Sequence, residues 1–136
     1  MKKIFTNGCF DILHTGHIEL LKHCATLGHV TVGLNSDASV TKLKGQGRPI
    51  NTAHDRKQML LSLRSVDEVI IFEEETPFEL IKLLKPDIIV KGGDYSADEI
   101  IGSELAEIII FEFMQGYSST SILDKIRKSP RKASDG

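Results

Sequence analysis

The sequence predicts an α/β fold, a parallel sheet with helices on both faces. Three observations predict it. Five short runs rich in β-branched and aliphatic residues recur along the chain: Lys3–Thr6, His29–Asn35, Val66–Phe72, Asp87–Lys91 and Glu107–Phe111. Segments with helical periodicity or capping signals separate them, and such alternation gives right-handed crossovers between parallel strands. The polar, chemistry-bearing segments Thr6–His17, Asn35–Arg48, Lys91–Tyr95 and Gly116–Thr120 all begin at or after strand ends, where open α/β sheets bind their ligands.

In chain order, the first helix is read over Thr15–Leu27, with Leu20, Leu21, Cys24 and Leu27 at helical spacing and Gly28 as its C′ glycine. Residues Ser36–Ile50 form a long loop in this reading, carrying Lys42, Lys44, Gly45, Gly47, Arg48 and Pro49. A loop that long in so small a domain is functional or disordered. Asn51 or Thr52 caps a helix reaching to near Leu63, with Met59, Leu60 and Leu63 on its apolar face. Glu73-Glu-Glu75 is a solvated turn. Thr76-Pro-Phe-Glu79 reads as a capping box with proline at the first helical position, for a helix ending near Lys85. Gly92-Gly-Asp-Tyr95 breaks the fourth strand, and Ser96 with Glu99 is a second capping box, for a short helix. Gly116-Tyr-Ser-Ser-Thr120 opens a last helix containing Ile122, Leu123 and Ile126. Residues 1–128 are then one domain, and the small, polar and charged stretch 129–136 is expected to be a mobile tail.

Composition narrows the classes. At 136 residues the chain suits one domain and can bury roughly two thirds of its unfolded surface without a staple. A net charge of −2 argues against general affinity for nucleic acid. Cys9 and Cys24 have neither zinc-site spacing nor the number of a disulfide framework. Lys2-Lys3 is followed by too few apolar residues for a signal peptide, and no apolar run reaches membrane-spanning length. The expected compartment is a reducing cytoplasm, with no nucleic-acid or membrane partner.

The first strand, its glycine-bearing loop and the following helix make a phosphate-binding geometry. Loop N–H groups and the helix N-terminus direct partial positive charge at one place. Thr6, Asn7, Gly8, Cys9 and Phe10 are candidate nucleotide-binding residues, and Gly8 and Gly16 let backbone approach an anion closely. Cys9 matters there through its backbone more than its thiol. His14 and His17, three residues apart, can face the same phosphates. Lys42 and Lys44 are either mobile cations that reach a phosphate as the loop closes or solvent-exposed charges. Arg56 either adds a charge or faces water. Asp11 either meets the substrate and its cation or fixes the loop by accepting backbone N–H bonds. Ser118, Ser119 and Thr120 hold phosphates at a helix N-terminus or simply cap it. Topology brings Asn35, Lys91, Gly92 and Asp94 to the same strand ends. Histidines, lysines and two helix N-termini around one cleft suit a triphosphate, and no Ser–His–acid arrangement supports acyl transfer.

His14-Thr-Gly-His17, placed after a first strand and beside Asn7-Gly-Cys-Phe-Asp11, resembles the H-x-G-H mark of the cytidylyltransferase-like nucleotidyltransferase superfamily. The resemblance extends over nearly the whole chain. Thr6–His17, Asn35-Ser-Asp-Ala-Ser39, Leu43-Lys-Gly45, Arg48-Pro-Ile-Asn51, Val90-Lys-Gly-Gly-Asp-Tyr95 and Gly116-Tyr-Ser-Ser-Thr120 look like the adenylyltransferase domain of bacterial ADP-heptose synthases. It implies a Rossmann-like, doubly wound, five-stranded parallel sheet. It also implies transfer from ATP to heptose 1-phosphate, giving ADP-heptose and pyrophosphate for lipopolysaccharide or another surface glycan.

On this resemblance His14, His17 and Lys44 are catalytic. Thr6–Phe10, Gly16, Lys42, Gly92, Asp94 and Ser118–Thr120 bind nucleotide, and Asp11, Asn35, Arg56 and Lys91 bind the second substrate. Magnesium arrives mainly on the triphosphate, with no protein metal ligand assigned. A homodimer and a separate sugar kinase are the further implied partners. Glycerol-3-phosphate cytidylyltransferase is the nearest rival. That family usually carries an arginine where this chain has Phe113-Met-Gln-Gly116, and Gly-Asp-Asp-Trp where it has Gly92-Gly-Asp-Tyr95. A non-catalytic nucleotide-binding module of flavodoxin-like architecture is the other alternative, although such a module has no need of the two histidines together with the lysines.

Overall fold

The computed structural model describes residues 1–93, 96–112 and 119–128. Five strands, β1 (Lys3–Gly8), β2 (His29–Asn35), β3 (Glu68–Phe72), β4 (Ile88–Gly92) and β5 (Glu107–Phe111), form one sheet in the order β3-β2-β1-β4-β5. Every pairing is parallel. Helices α1 (Thr15–Leu27), α2 (Asp37–Lys44), α3 (Ala53–Leu61), α4 (Phe78–Leu84) and α5 (Ser119–Lys128) connect or follow the strands, with a 3₁₀ turn at Ala97–Glu99.

The central strands are buried on both faces and alternate side by side, as the pleat requires. Ile4, Val30, Val32, Ile88 and Val90 pack with Leu20, Leu21 and Cys24 of α1 and with Leu60 of α3. Phe5 and Ile89, one residue out of phase, pack on the opposite face with Ile81 of α4 and Ile100. Connections leave β1 toward β2 on one side, whereas β4 pairs with β1 on the other. The switch point therefore lies between β1 and β4, beside the loop after β1, and ligand crevices form at such points.

Several elements differ from the sequence expectation. The expected loop over residues 36–50 contains α2. Ser36 Oγ accepts the Ser39 N–H at 3.2 Å, Asp37 sits in the first turn, Lys42 and Lys44 in the last, and Gly45 ends the helix at φ 97°. Only Ser39 and Val40 of its eight residues are buried, so no apolar stripe reveals it; the caps and end charges are its signal. α3 ends at Leu61, capped by Thr52, and Met59 is 41% exposed, leaving Leu60 to carry the buried face.

The capping box at Thr76–Glu79 does not form. α4 starts at Phe78, with Pro77 as a cap lacking any side-chain bond. Ser96 Oγ donates to Glu99 Oε1 at 2.7 Å, so the second expected box closes on itself over a 3₁₀ turn.

Gly28 ends α1 as expected, but for a different reason. Its φ of 163° is extended backbone. A Cβ there would lie 2.2 Å from the Lys2 carbonyl oxygen, where His29 N–H donates to that oxygen at 2.9 Å. Glycine is required by close approach. Gly28→Ala should therefore lower the melting temperature by about 5–10 °C, equivalent to an overpacking cost of about 2 kcal/mol. An unchanged thermal transition would show that the chain relaxes there freely.

Candidate active site

The site begins where β1 ends. Thr6 is buried in the strand, and Asn7, Gly8 and Cys9 lead out of it half-buried. The chain then turns through Phe10 at φ 46° and enters α1 at His14, the N-cap, which is extended at φ −143° and ψ 176°.

The two histidines close the helix end on each other. His14 Nδ1 accepts the Gly16 N–H at 3.0 Å, and His17 Nδ1 accepts the His14 N–H at 3.3 Å. Their rings stack with centroids 3.9 Å apart. This is a capping box in which imidazoles replace the usual hydroxyl and carboxylate. A nitrogen that accepts a hydrogen bond carries no proton, so in each neutral ring the proton lies on Nε2. Burial holds the His14 pKa below its ordinary value. Burial, reinforced by the neighbouring His14, lowers that of His17 to about 4. Both rings are therefore neutral Nε2–H donors near pH 7. Gly16 contributes its N–H to His14 rather than to a ligand.

Cations surround this pair. Lys91, half-buried at the end of β4, lines a cleft of about 160 Å³ together with Thr6–Phe10, His17, Leu20 and Gly92. Burial lowers the Lys91 pKa; Cys9 opposes that shift and Lys44 adds to it. Lys44, exposed at the end of α2, thus stands within electrostatic reach of the cleft. Burial raises the Cys9 pKa against the pull of Lys44, Arg56 and Arg48, so its sulfur stays a thiol. Lys42 is differently placed: its Nζ lies 2.6 Å from Glu75 Oε1, in an exposed ion pair between α2 and the turn after β3.

Three residues expected to meet the second substrate build the walls of the site. The Asp11 carboxylate accepts the N–H of Ile50 at 2.8 Å and of Asn51 at 2.8 Å, and Arg48 Nε at 2.8 Å. Burial works against its ionised form, but the Asn51 and Ile50 N–H groups and the Arg48 guanidinium prevail and lower its pKa. Arg56 is 1% exposed. Its Nη1 donates to the carbonyls of Cys9 and Asn35 at 2.8 Å each, Nε to that of Asn51 at 2.9 Å, and Nη2 to Asp37 Oδ1 at 2.9 Å. Asn35 Nδ2 donates to Ser39 Oγ at 3.0 Å within the buried start of α2. These bonds tie Asp11, Arg56 and Asn35 to the loops and helix starts around the cleft. Arg48, Asp37 and Asn51 complete this clamp; the sequence marks them only within resembling segments and as a helix cap, with no site role, because a guanidinium's carbonyl partners leave no trace in residue type.

Asp94 and Ser118 lie outside the described residues. Ser119 and Thr120 are the first two residues of α5. Among the described residues no group of three or more His, Cys, Asp or Glu side chains is placed to hold a metal ion.

Arg56→Lys should destabilise the fold by about 3–5 kcal/mol, because an ammonium cannot reach acceptors on four segments and leaves buried carbonyls unpaired. A fall in melting temperature of about 10 °C or more is expected. A transition within about 2 °C of wild type would remove the clamp from this account.

A family model described as cytidylyltransferase-like matches residues 5–125. The bifunctional protein HldE of Nitratiruptor sp. is 56% identical over 126 residues, covering 91% of this chain and 27% of that protein. The bifunctional protein HldE of Helicobacter pylori is 54% identical over 130 residues, covering 94% and 28%. The chain thus spans little more than a quarter of these curated relatives. Among solved structures, a lipopolysaccharide core biosynthesis protein from Thermoplasma volcanium superposes with a TM-score of 0.69 at 28% identity, covering 87% of this chain and 99% of that one. The match runs from the middle of β1 into α5 and takes in the histidine-capped helix start, and the chain belongs to the cytidylyltransferase-like family of nucleotidyltransferases.

Proposed function

We propose that the chain transfers an adenylyl group from ATP to a heptose 1-phosphate, releasing pyrophosphate and forming an ADP-heptose for surface-glycan synthesis. The observation that carries the transfer chemistry is the paired imidazole cap. It presents two neutral Nε2–H donors at the mouth of the loop after β1. In the reaction a phosphate oxygen of the sugar attacks the α-phosphorus in line. A new P–O bond forms, the bond from the α-phosphorus to the bridging oxygen breaks, and pyrophosphate leaves with that electron pair. No covalent enzyme intermediate is needed. Protein groups position the reactants and neutralise charge that develops on the transferring phosphoryl oxygens.

His14 and His17 serve as preset donors, since neither has to lose a proton or turn over to reach its working state. Lys91 in the cleft and Lys44 within electrostatic reach of it supply positive charge. Magnesium suits this site as a passenger on the triphosphate: the Asp11 carboxylate is spent on Arg48 and backbone, and the remaining donors are mostly nitrogen. The adenylyl and heptose assignment is supported by the HldE relatives and by the sequence segments that set this chain apart from the glycerol-phosphate enzymes. A sugar kinase and a second copy of the chain are the partners this reading proposes, with a cytoplasmic location. The rival reading is a cytidylyltransferase acting on glycerol 3-phosphate.

Pyrophosphate release measured with ATP and CTP, each against heptose 1-phosphate and glycerol 3-phosphate, separates the readings. ATP with heptose 1-phosphate should be fastest. Faster turnover with CTP and glycerol 3-phosphate would replace the assignment, and nucleotide binding without release in any combination would make the chain a binding module. In the productive combination, His14→Asn and His17→Gln should lower kcat on the order of a hundredfold or more. Asparagine and glutamine keep a capping acceptor, so stability should fall by no more than about 1 kcal/mol. Turnover within a few-fold of wild type in both would end the donor role.

A further inference from the structure

Phe10 has a conformation that its residue type disfavours. At φ 46° it lies in the left-handed region, where a bulky side chain is strained. The ring is 5% exposed and packs in the core with Leu20 and Leu21. It also touches both halves of the site. Its centroid is 5.1 Å from that of His17, with planes inclined by 49°. A Cβ on Gly8 would meet Phe10 Cε2 at 3.1 Å. The ring is thus wedged between the end of β1 and the first turn of α1. The next residue, Asp11, is bound by Ile50, Asn51 and Arg48, which holds the backbone on either side of the strained turn.

We infer that Phe10 is a positioning residue for His17, its ring fixing the plane of the imidazole and excluding water from the side that faces the core. The inference rests on the nucleotidyl-transfer reading for its catalytic consequence, but not for its structural half. Among the described residues, the groups that share the cleft with His17 are its stacked neighbour His14, the Cys9 thiol from the loop after β1, and the Lys91 ammonium from β4. With the ring removed, water reaches His17 and its protonated form is no longer penalised. Protonation places a hydrogen on Nδ1 and breaks the bond from the His14 N–H.

The test is an NMR titration of the His17 imidazole in the ligand-free protein, paired with the pH dependence of pyrophosphate release, for wild type, Phe10→Leu and Phe10→Tyr. Wild-type His17 should titrate at about 4. In Phe10→Leu its midpoint should rise by about one pH unit or more toward the ordinary histidine value of about 6.5. The acidic limb of kcat should move with it, and kcat at pH 8 should fall about tenfold while KM for the triphosphate stays within about threefold. Phe10→Tyr keeps the ring and should keep the wild-type profile. If Phe10→Leu does not fold, Gly8→Ala, whose Cβ would press on the same ring at 3.1 Å, should move the His17 midpoint upward by a smaller amount. An unmoved His17 midpoint in the folded variant overturns the inference. Wild-type protein that releases no pyrophosphate overturns the transfer reading instead, and the ligand-free titration still decides whether Phe10 controls His17.

Discussion

The site depends on one buried guanidinium. Arg56 enters from the first turn of α3 and ties together the loop after β1 through Cys9, the end of β2 through Asn35, the start of α2 through Asp37 and the approach to α3 through Asn51. Removing such a charge from water costs several kcal/mol unless its donors are matched. Here the acceptors are mostly carbonyl oxygens that would themselves be orphaned at strand and loop ends. Asp11 repeats the device with opposite sign, taking up backbone N–H groups of residues 50 and 51 and the Arg48 guanidinium. Two buried charges thereby hold the loop that delivers His14 to its helix cap. The residues that contact ligand need not be numerous, because these hold the backbone for them.

Structure and chemistry share the same atoms at the helix start. Nδ1 of each histidine secures α1, which puts the ring proton of each neutral imidazole on Nε2. A histidine free in solution would be distributed between tautomers and partly protonated near neutral pH. The cap removes both freedoms before any ligand arrives, which is the preorganisation on which phosphoryl-group transfer without covalent catalysis relies. The strained Phe10 turn and the glycine at position 8 bear on the same contact: the ring lies beside the imidazole, and a Cβ at position 8 would press on it at 3.1 Å.

Much of this was legible in the sequence because it follows from pattern. The five strands are short, nearly continuous apolar runs, the order of strand, glycine loop and histidines marks the ligand end, and Leu20, Leu21 and Cys24 identify the buried side of α1. What escaped depends on partners that residue type does not encode. Helix α2 lacks an apolar stripe and is held by caps at Ser36 and Gly45, so periodicity missed it. Arg56 sits between Asp55 and Lys57 and reads as a substrate-facing or surface charge, yet its acceptors are mostly main-chain oxygens brought together only by the fold. Gly28 signals a left-handed cap in sequence, whereas in space it makes room for the Lys2 carbonyl. Lys42 and Lys44 look equivalent two residues apart, and α2 separates them: one pairs with Glu75 on the surface and the other lies near the cleft.

The central claim is that His14 and His17 are both neutral, with the proton on Nε2, before substrate binds. Long-range ¹H–¹⁵N correlation of the imidazole rings at pH 7 measures this directly. The account predicts that Nδ1 of each ring shows the shift of an unprotonated acceptor and Nε2 that of a protonated nitrogen. An imidazolium pattern on either ring, or a proton on Nδ1, would contradict it.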